Sequence, residues 1–157
     1  MKLSFTKMHG CGNNYIYFNC FDQTVPDPES LSIKLSEPHF GIGGDGIILI
    51  SPSDKADAQM RIFNADGSEG KMCGNGIRCV GKYLYDNGIV PRADLTIEAG
   101  GPVHRLHLYT RFGTVGLVTV DMGKPVFAPE AVPVALAGER AAAAAKGPGS
   151  FMPAFLD

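Results

Sequence analysis

Short apolar or alternating stretches, separated by glycine-rich loops, follow one another along most of the chain. A period of two residues, or a short apolar run between turn residues, is typical of a β-strand. The strands predicted in this way are residues 3–8, 15–20, 47–50, 60–63, 93–99, 103–109 and 115–122. Because the turn signal Gly100-Gly101-Pro102 joins two of them, residues 93–109 are predicted to form a hairpin.

Two helices are predicted between these strands. Residues 30–36 form a short helical stretch that Pro38 ends. From residue 75 onward, apolar side chains recur at helical spacing as far as Asn87-Gly88, which supplies a stop signal. Many short strands around one substantial helix, without a regular strand–helix alternation, predict an α+β fold.

The composition is typical of a globular protein that is rich in turns. The 157 residues are 45% hydrophobic and 19% charged, and they include 20 glycines and 11 prolines. This length allows one ordinary domain or most of two small ones. The formal net charge of −2 gives no electrostatic reason to expect nucleic acid or a membrane surface as a partner.

The first residues of the chain and its cysteines indicate in which cellular compartment the protein is expected. Residues 1–7 contain no apolar core of signal-peptide length, and no apolar run approaches the roughly 20 residues that span a bilayer. We therefore expect a cytoplasmic protein with reduced thiols. Nothing completes a ligand set around His9 and Cys11, so no metal site is predicted.

Cys73 is the most informative residue of the chain. It follows a predicted strand and the turn Asp66-Gly67, and it precedes the longer helix. Unpaired backbone N–H groups and the positive end of the helix dipole lie at such a position, and both favour a thiolate. A cysteine can equally cap or pack at a turn, so the local pattern leaves a reactive and a structural interpretation open.

Glycines and amides near strand ends suggest a site for a zwitterion. Gly74 allows a ligand to approach the backbone closely, and the N–H groups of Gly74 and Asn75 would point at a carboxylate. Asn13, in the predicted glycine-rich loop 9–14, and Asn64 can bind ammonium and carboxylate groups without adding charge. Asn14 is interpreted as a turn residue.

The motifs predict no cofactor. Gly41, Gly43 and Gly46 match the spacing of a dinucleotide-binding loop, but they precede a strand and open no helix. We favour a tight turn with a close backbone approach. No Walker A sequence occurs, and no lysine stands in a setting typical of a pyridoxal Schiff base.

Several motifs together resemble the diaminopimelate epimerase family, in its order and at its spacing. They are Lys7-Met-His-Gly-x-Gly-Asn13, Gly41-x-Gly-x-Asp45-Gly, Phe63-Asn-Ala-Asp-Gly-Ser68 and Cys73-Gly-Asn-Gly-x-Arg78. Asp121-Met-Gly-Lys-Pro125 also resembles the passage into the second half of the family. The resemblance covers residues 3–133.

The resemblance implies a mixed or antiparallel sheet curled around one central helix. Family members epimerise LL- and meso-diaminopimelate, a precursor of lysine and peptidoglycan, without pyridoxal phosphate or a metal. They use two cysteines on opposite faces of the α-carbon, and this implies that Cys73 is one catalytic acid/base. It also implies that Gly74 and Asn75 contact the substrate carboxylate, and that Asn13 and Asn64 bind substrate. Gly46 stands where some members carry a substrate-binding glutamine.

A second half with the other cysteine is also implied by the family. We expect residues 1–116 to be the epimerase N-terminal domain, and residues 117–157 to be the start of a truncated second domain with an alanine-rich tail. This half is therefore expected to be inactive alone. A homodimer is an alternative in which two copies of Cys73 would face each other.

Two other functions remain open at this point. Another two-cysteine isomerase, of the proline or hydroxyproline racemase kind, would use the same chemistry but does not account for the block Phe63–Ser68. A non-catalytic remnant that binds an amino-acid zwitterion would keep the fold without turnover.

Overall fold

A computed structural model describes residues 2–127 of the chain, and the predicted alanine-rich tail lies outside these residues. The chain as far as Met122 belongs to one compact unit. Residues 123–127, which have no regular secondary structure, belong to a second unit. The predicted domain division between residues 116 and 117 stays a prediction.

The compact unit consists of a single sheet and the helices that pack on it. The elements are β1 (Thr6–Gly10), β2 (Asn13–Asn19), α1 (Pro28–Ser36), β3 (Gly46–Ser51), β4 (Ala58–Asn64), β5 (Glu69–Gly70), α2 (Gly74–Asp86), β6 (Asp94–Ala99), β7 (Val103–Arg111) and β8 (Thr114–Val120). The predicted α+β class is confirmed. Among residues 2–127, no helix is long and apolar enough to cross a bilayer.

Parallel and antiparallel pairs are combined in the sheet. Its strands follow the order β1-β2-β3-β4-β6-β7-β8, and β5 pairs with β4. Strands β2 and β3 are parallel, as are β4 and β6, because a helix lies between the members of each pair along the chain. The other pairs are antiparallel, and they include the predicted hairpin of β6 and β7.

The sheet curls around α2 and forms a half-barrel, as the family resemblance implied. Ile77, Val80 and Leu84 are completely buried on the side of α2 that faces the sheet. Helix α1 covers the opposite face of β2, β3 and β4. Because residues 47–50 lie between both helices, all of them are buried and apolar, which explains their continuous apolar run.

The glycine-rich loop predicted at residues 9–14 is wrong in its extent. His9 and Gly10 end β1, and Asn13 and Asn14 begin β2, so the turn itself consists of Cys11 and Gly12. Both turn residues have positive φ, 52° at Cys11 and 84° at Gly12. Such a pair matches the twist of the two strands, and the hairpin therefore needs no longer loop.

Candidate active site

Cys73 caps the N-terminus of α2, as the sequence predicted. Its backbone is extended, with φ −138° and ψ 109°, and the helix proper begins at Gly74. The N–H of Gly76 donates to Cys73 Sγ at 3.2 Å. The sulfur therefore accepts one of the N–H groups that a helix start leaves without a partner.

Two glycines allow the start of α2 to lie against the sheet. A Cβ atom added at Gly76 would lie 2.7 Å from Cδ1 of Ile48, which belongs to β3. A Cβ at Gly10, the last residue of β1, would lie 2.8 Å from the backbone oxygen of Asn75. Larger side chains at these positions would push Cys73 away from the strands.

Asn13 lies beside the sulfur of Cys73. The thiol donates to Asn13 Oδ1 at 3.1 Å, and Asn13 Nδ2 donates to Asp45 Oδ2 at 2.8 Å. An amide has one oxygen that accepts and one nitrogen that donates. The carboxylate therefore fixes the amide orientation, with the oxygen of Asn13 toward the thiol.

Asp45 joins three segments at this end of the sheet. Its Oδ2 accepts from the N–H of Asn14 at 2.6 Å, and its own N–H donates to the oxygen of Asn14 at 2.7 Å. The oxygen of Asp45 accepts from the N–H of Ala65 at 3.1 Å. Asn14 is thus a strand residue that contacts Asp45, and its interpretation as a turn residue is wrong. No role is predicted for Asp45 from the sequence, although it belongs to the motif Gly41-x-Gly-x-Asp45-Gly.

Asn64 is the last residue of β4, and Asp45 lies between this strand end and Asn13. Asn64 Nδ2 donates to Ser68 Oγ at 3.0 Å, and Ser32 Oγ donates to the oxygen of Asn64 at 2.7 Å. In the described contacts, Asn64 is linked to Asn13 through Ala65 and Asp45 and not directly.

Arg78 holds the first turn of α2. Its Nη1 donates to the oxygen of Gly74 at 3.0 Å, and its Nη2 donates to Asn75 Oδ1. The same Nη2 lies 3.5 Å from the sulfur of the exposed Cys11. The side chain of Asn75 is therefore occupied within the helix, while its backbone is at the helix start.

Two tyrosines of β2 contribute neutral groups around Cys73. Burial is the main cause that raises the pKa of Tyr15, and the neighbouring Cys73 raises it further. Burial also raises the pKa of Tyr17. Both phenols therefore stay protonated near neutral pH. Within residues 2–127, no group of three or more metal-ligating side chains comes together.

Known proteins resemble this chain over most of the described residues. The family model described as diaminopimelate epimerase matches residues 5–128. A diaminopimelate epimerase from Agathobacter rectalis is 53% identical over 132 residues, which make up 84% of this chain and 46% of that protein. One from Acetivibrio thermocellus is 52% identical over 132 residues, with 84% and 47% covered.

The chain belongs to the diaminopimelate epimerase family. It spans about half the length of the curated relatives it matches. Homologues are isomerases by name, and the resemblance drawn from the motifs is confirmed.

Solved structures at lower identity share the fold. A methylitaconate-delta-isomerase aligns with a TM-score of 0.61 at 16% identity, over 73% of this chain and 36% of that one. A probable proline racemase from Agrobacterium radiobacter aligns with a TM-score of 0.60 at 20% identity, over 76% and 41%. At these identities the likeness concerns the fold alone.

Gly46 is the position where the family resemblance implies a glutamine in some members. Its φ is 149°, and an added Cβ would lie 2.1 Å from the backbone oxygen of Phe63. With this backbone no side chain fits at residue 46. A contact like that of the glutamine therefore has no counterpart here.

A groove of about 240 Å³ lies between β1, α2 and β8, and its lining does not include Cys73. Its lining includes His9, Gly10, Arg78, Lys82 and Leu117. The groove is therefore distinct from the amide network around the cysteine.

Proposed function

We propose that this chain forms one half of a diaminopimelate epimerase site, in which Cys73 is one of two thiol acid/bases. The observation that carries the proposal is the position of Cys73 Sγ, at the start of α2 and within 3.1 Å of Asn13. Membership of the family supports diaminopimelate as the substrate.

The proposed reaction inverts the α-carbon by two proton transfers. One thiolate takes the proton from the Cα–H bond, whose electron pair stays on the α-carbon. A thiol on the opposite face then donates its proton to that carbon, and the configuration is inverted. Cys73 acts as the base in one direction and as the acid in the other, and the partner cysteine is proposed to come from the second half of the enzyme.

A carboxylate at the start of α2 would stabilise the charge that develops. The first N–H groups of a helix have no intrahelical acceptor, and Cys73 Sγ takes that of Gly76. We place the substrate carboxylate at the N–H groups of Gly74 and Asn75, where the helix dipole also favours an anion. Fixed donors at this carboxylate replace the electron sink that a cofactor would supply.

Asn13 and Asn64 are proposed to bind the polar groups of the substrate. Both lie at strand ends that the Asp45 backbone and side chain draw together. A substrate group that takes the Asn13 oxygen would compete with the thiol of Cys73 for it.

We also propose a cellular location and consider one alternative oligomeric state for this chain. Reactive thiols persist in the reducing cytoplasm, where we place this protein. A homodimer that brings two copies of Cys73 together remains an alternative. Sedimentation at high protein concentration tests it, and a monomer at all concentrations would exclude it.

The half-site proposal is tested by incubating LL-diaminopimelate with the 157-residue chain in deuterated water. Because the second thiol is proposed to lie in the other half, we expect neither the meso isomer nor deuterium of the opposite configuration. Turnover that is lost in Cys73→Ser and kept in Cys20→Ser would contradict a half-site. Turnover of L-proline instead would favour the racemase alternative, for which this chain supplies only a shared fold.

A further inference from the structure

The amide of Asn13 is hydrogen-bonded at both ends, to a carboxylate and to a thiol. Asn13 Nδ2 donates to Asp45 Oδ2 at 2.8 Å, and Oδ1 accepts from Cys73 Sγ at 3.1 Å. The reverse orientation would put an amide oxygen against a carboxylate, which can only accept. One orientation alone serves both neighbours.

Asp45 is itself held in place by backbone contacts. Its Oδ2 also accepts from the N–H of Asn14 at 2.6 Å, and its backbone bonds with Asn14 and with Ala65. The carboxylate is therefore attached to β2 and to the end of β4. It does not need Cys73 or Asn13 to keep its position.

We propose that Asp45 is a positioning residue that keeps Cys73 in the thiol form before substrate binds, by turning the oxygen of Asn13 toward the sulfur. An amide oxygen accepts from a thiol and repels a thiolate. This contact opposes the start of α2 and the N–H of Gly76, which favour the thiolate. Its catalytic meaning rests on the function proposed above, whereas the thiol state of Cys73 does not.

Cys73 in the thiol form would act first as a proton donor. The thiolate of the second half then has to remove the α-proton from the face of the α-carbon opposite Cys73. The S–H bond of Cys73 then breaks as the new Cα–H bond forms, and a thiolate is left on Cys73. The ligand-free site is thus prepared for the stereoisomer whose α-hydrogen points away from Cys73.

Within the described part of the chain, two tyrosines and an arginine lie near this sulfur besides Asp45. Tyr15 and Tyr17 approach from β2, and burial raises the pKa of each, so both are neutral near pH 7. On the helix of Cys73 itself, Arg78 is bound to the oxygen of Gly74 and to Asn75. An effect of Asp45 on Cys73 is therefore expected to pass through Asn13.

Alkylation of Cys73 in the full 157-residue chain tests the proposal. Its rate with iodoacetamide, followed by mass spectrometry of its peptide, is compared at about pH 7 and at about pH 10, where thiols are largely ionised. We take the rate at about pH 7 divided by the rate at about pH 10, which cancels changes in access to the sulfur. A higher ratio means that more of Cys73 is thiolate at neutral pH. In Asp45→Ala we expect this ratio to rise about threefold to tenfold, the factor of one hydrogen bond. Asp45→Asn keeps an acceptor oxygen and is expected to stay within about twofold of the unmodified chain.

The same measurement in an Asn13→Ala background separates orientation from loosening. That variant alone should raise the ratio, and adding Asp45→Ala should then change it by less than about twofold. An unchanged ratio in Asp45→Ala, or an equal further rise without Asn13, would overturn the proposal. If Asp45→Ala unfolds, so that buried Cys79 reacts as fast as exposed Cys11, Asn13→Ala alone decides, and an unchanged ratio there overturns it.

Discussion

The sulfur of Cys73 contacts one hydrogen-bond donor and one acceptor, which favour different forms of the side chain. The N–H of Gly76 donates to it at 3.2 Å, and Asn13 Oδ1 accepts from it at 3.1 Å. The first contact stabilises a thiolate and the second a thiol. A ligand that occupies the oxygen of Asn13 would tip this balance, which couples substrate binding to the proposed proton transfer.

Gly46 is predicted to be the most restrictive glycine near the site. In Gly46→Ala the new Cβ would lie 2.1 Å from the oxygen of Phe63, so β3 and β4 have to separate beside Asn64. We expect the free energy of unfolding to fall by about 2 kcal/mol or more, measured by urea denaturation. Gly116→Ala is the matched control, because a Cβ there has no neighbour within 4 Å among residues 2–127. Equal stability of the two variants would contradict the close approach.

The sequence predicts the cysteine and the amides of the site but not the contact between them. Turn and helix signals predict the position of Cys73, and the glycine neighbours of Asn13 predict its position near a strand end. Asp45 bonds to Asn13 across 32 positions of the chain. That contact depends on the parallel register of β2 and β3, which no local pattern encodes.

Helix α1 positions the end of β4 from the outside of the sheet. Ser32 is completely buried, and its Oγ lies 2.9 Å and 2.7 Å from the oxygens of Phe63 and Asn64, which share its single O–H. These carbonyls belong to the last two residues of β4. A hydroxyl on α1 therefore helps to fix the strand end that carries Asn64.

Two buried serines on α1 give a prediction at the scale of this element. Ser32→Ala removes the one O–H that the oxygens of Phe63 and Asn64 share, so the free energy of unfolding is expected to fall by about 1–3 kcal/mol. Ser36 is also buried, but its Oγ has no hydrogen-bond partner among the described residues. Ser36→Ala is therefore expected to be neutral or slightly stabilising.

Urea denaturation of both variants checks this difference. The two substitutions remove the same atom from buried positions one turn apart on α1. Equal losses of stability would mean that the bonds of Ser32 contribute nothing to the attachment of α1.

Element types were predicted better than element ends. The sequence predicts the long helix from residue 75, close to the observed span Gly74–Asp86, because the apolar spacing and the stop signal are both local. Strand β5, Glu69–Gly70, was missed because two residues show no period. The loop around Cys11 was predicted too long, since glycines and asparagines suit strand ends beside a tight turn as well as loops.

At the scale of the whole molecule, several carboxylates stabilise the folded state only while they are ionised. Hydrogen bonds from Ser30 lower the pKa of Asp27, which caps α1. The hydrogen bond from Arg61 lowers the pKa of Glu69, and those from Ser53 and Lys55 lower that of Glu98. In each case the pKa in the folded chain lies below the unfolded value.

This direction predicts loss of stability in acid. The contribution of a carboxylate with a lowered pKa is fully present above its unfolded pKa and is lost as the pH falls through the folded one. We expect the urea midpoint to be constant above about pH 5 and to fall below about pH 4. Glu98→Gln should fall less steeply than the unmodified chain. A midpoint that rises on acidification would contradict these assignments.

The sheet topology could not be derived from the pattern of apolar residues. Periodicity gave strands, helices and the α+β class, whereas the mixed, curled sheet came from resemblance to a family. Pairing of β2 with β3 and of β4 with β6 joins segments that are distant along the chain. The active half-site, the second cysteine and the domain division remain predictions.

Cys73 is proposed to lie within a site that binds diaminopimelate. Alkylation of Cys73 by iodoacetamide, followed in its own peptide with and without ligand, measures this directly. We predict that diaminopimelate slows labelling of Cys73 while L-proline does not, and that labelling of Cys20 is the same throughout. Equal labelling of Cys73 with and without diaminopimelate, or equal protection by L-proline, would contradict the account.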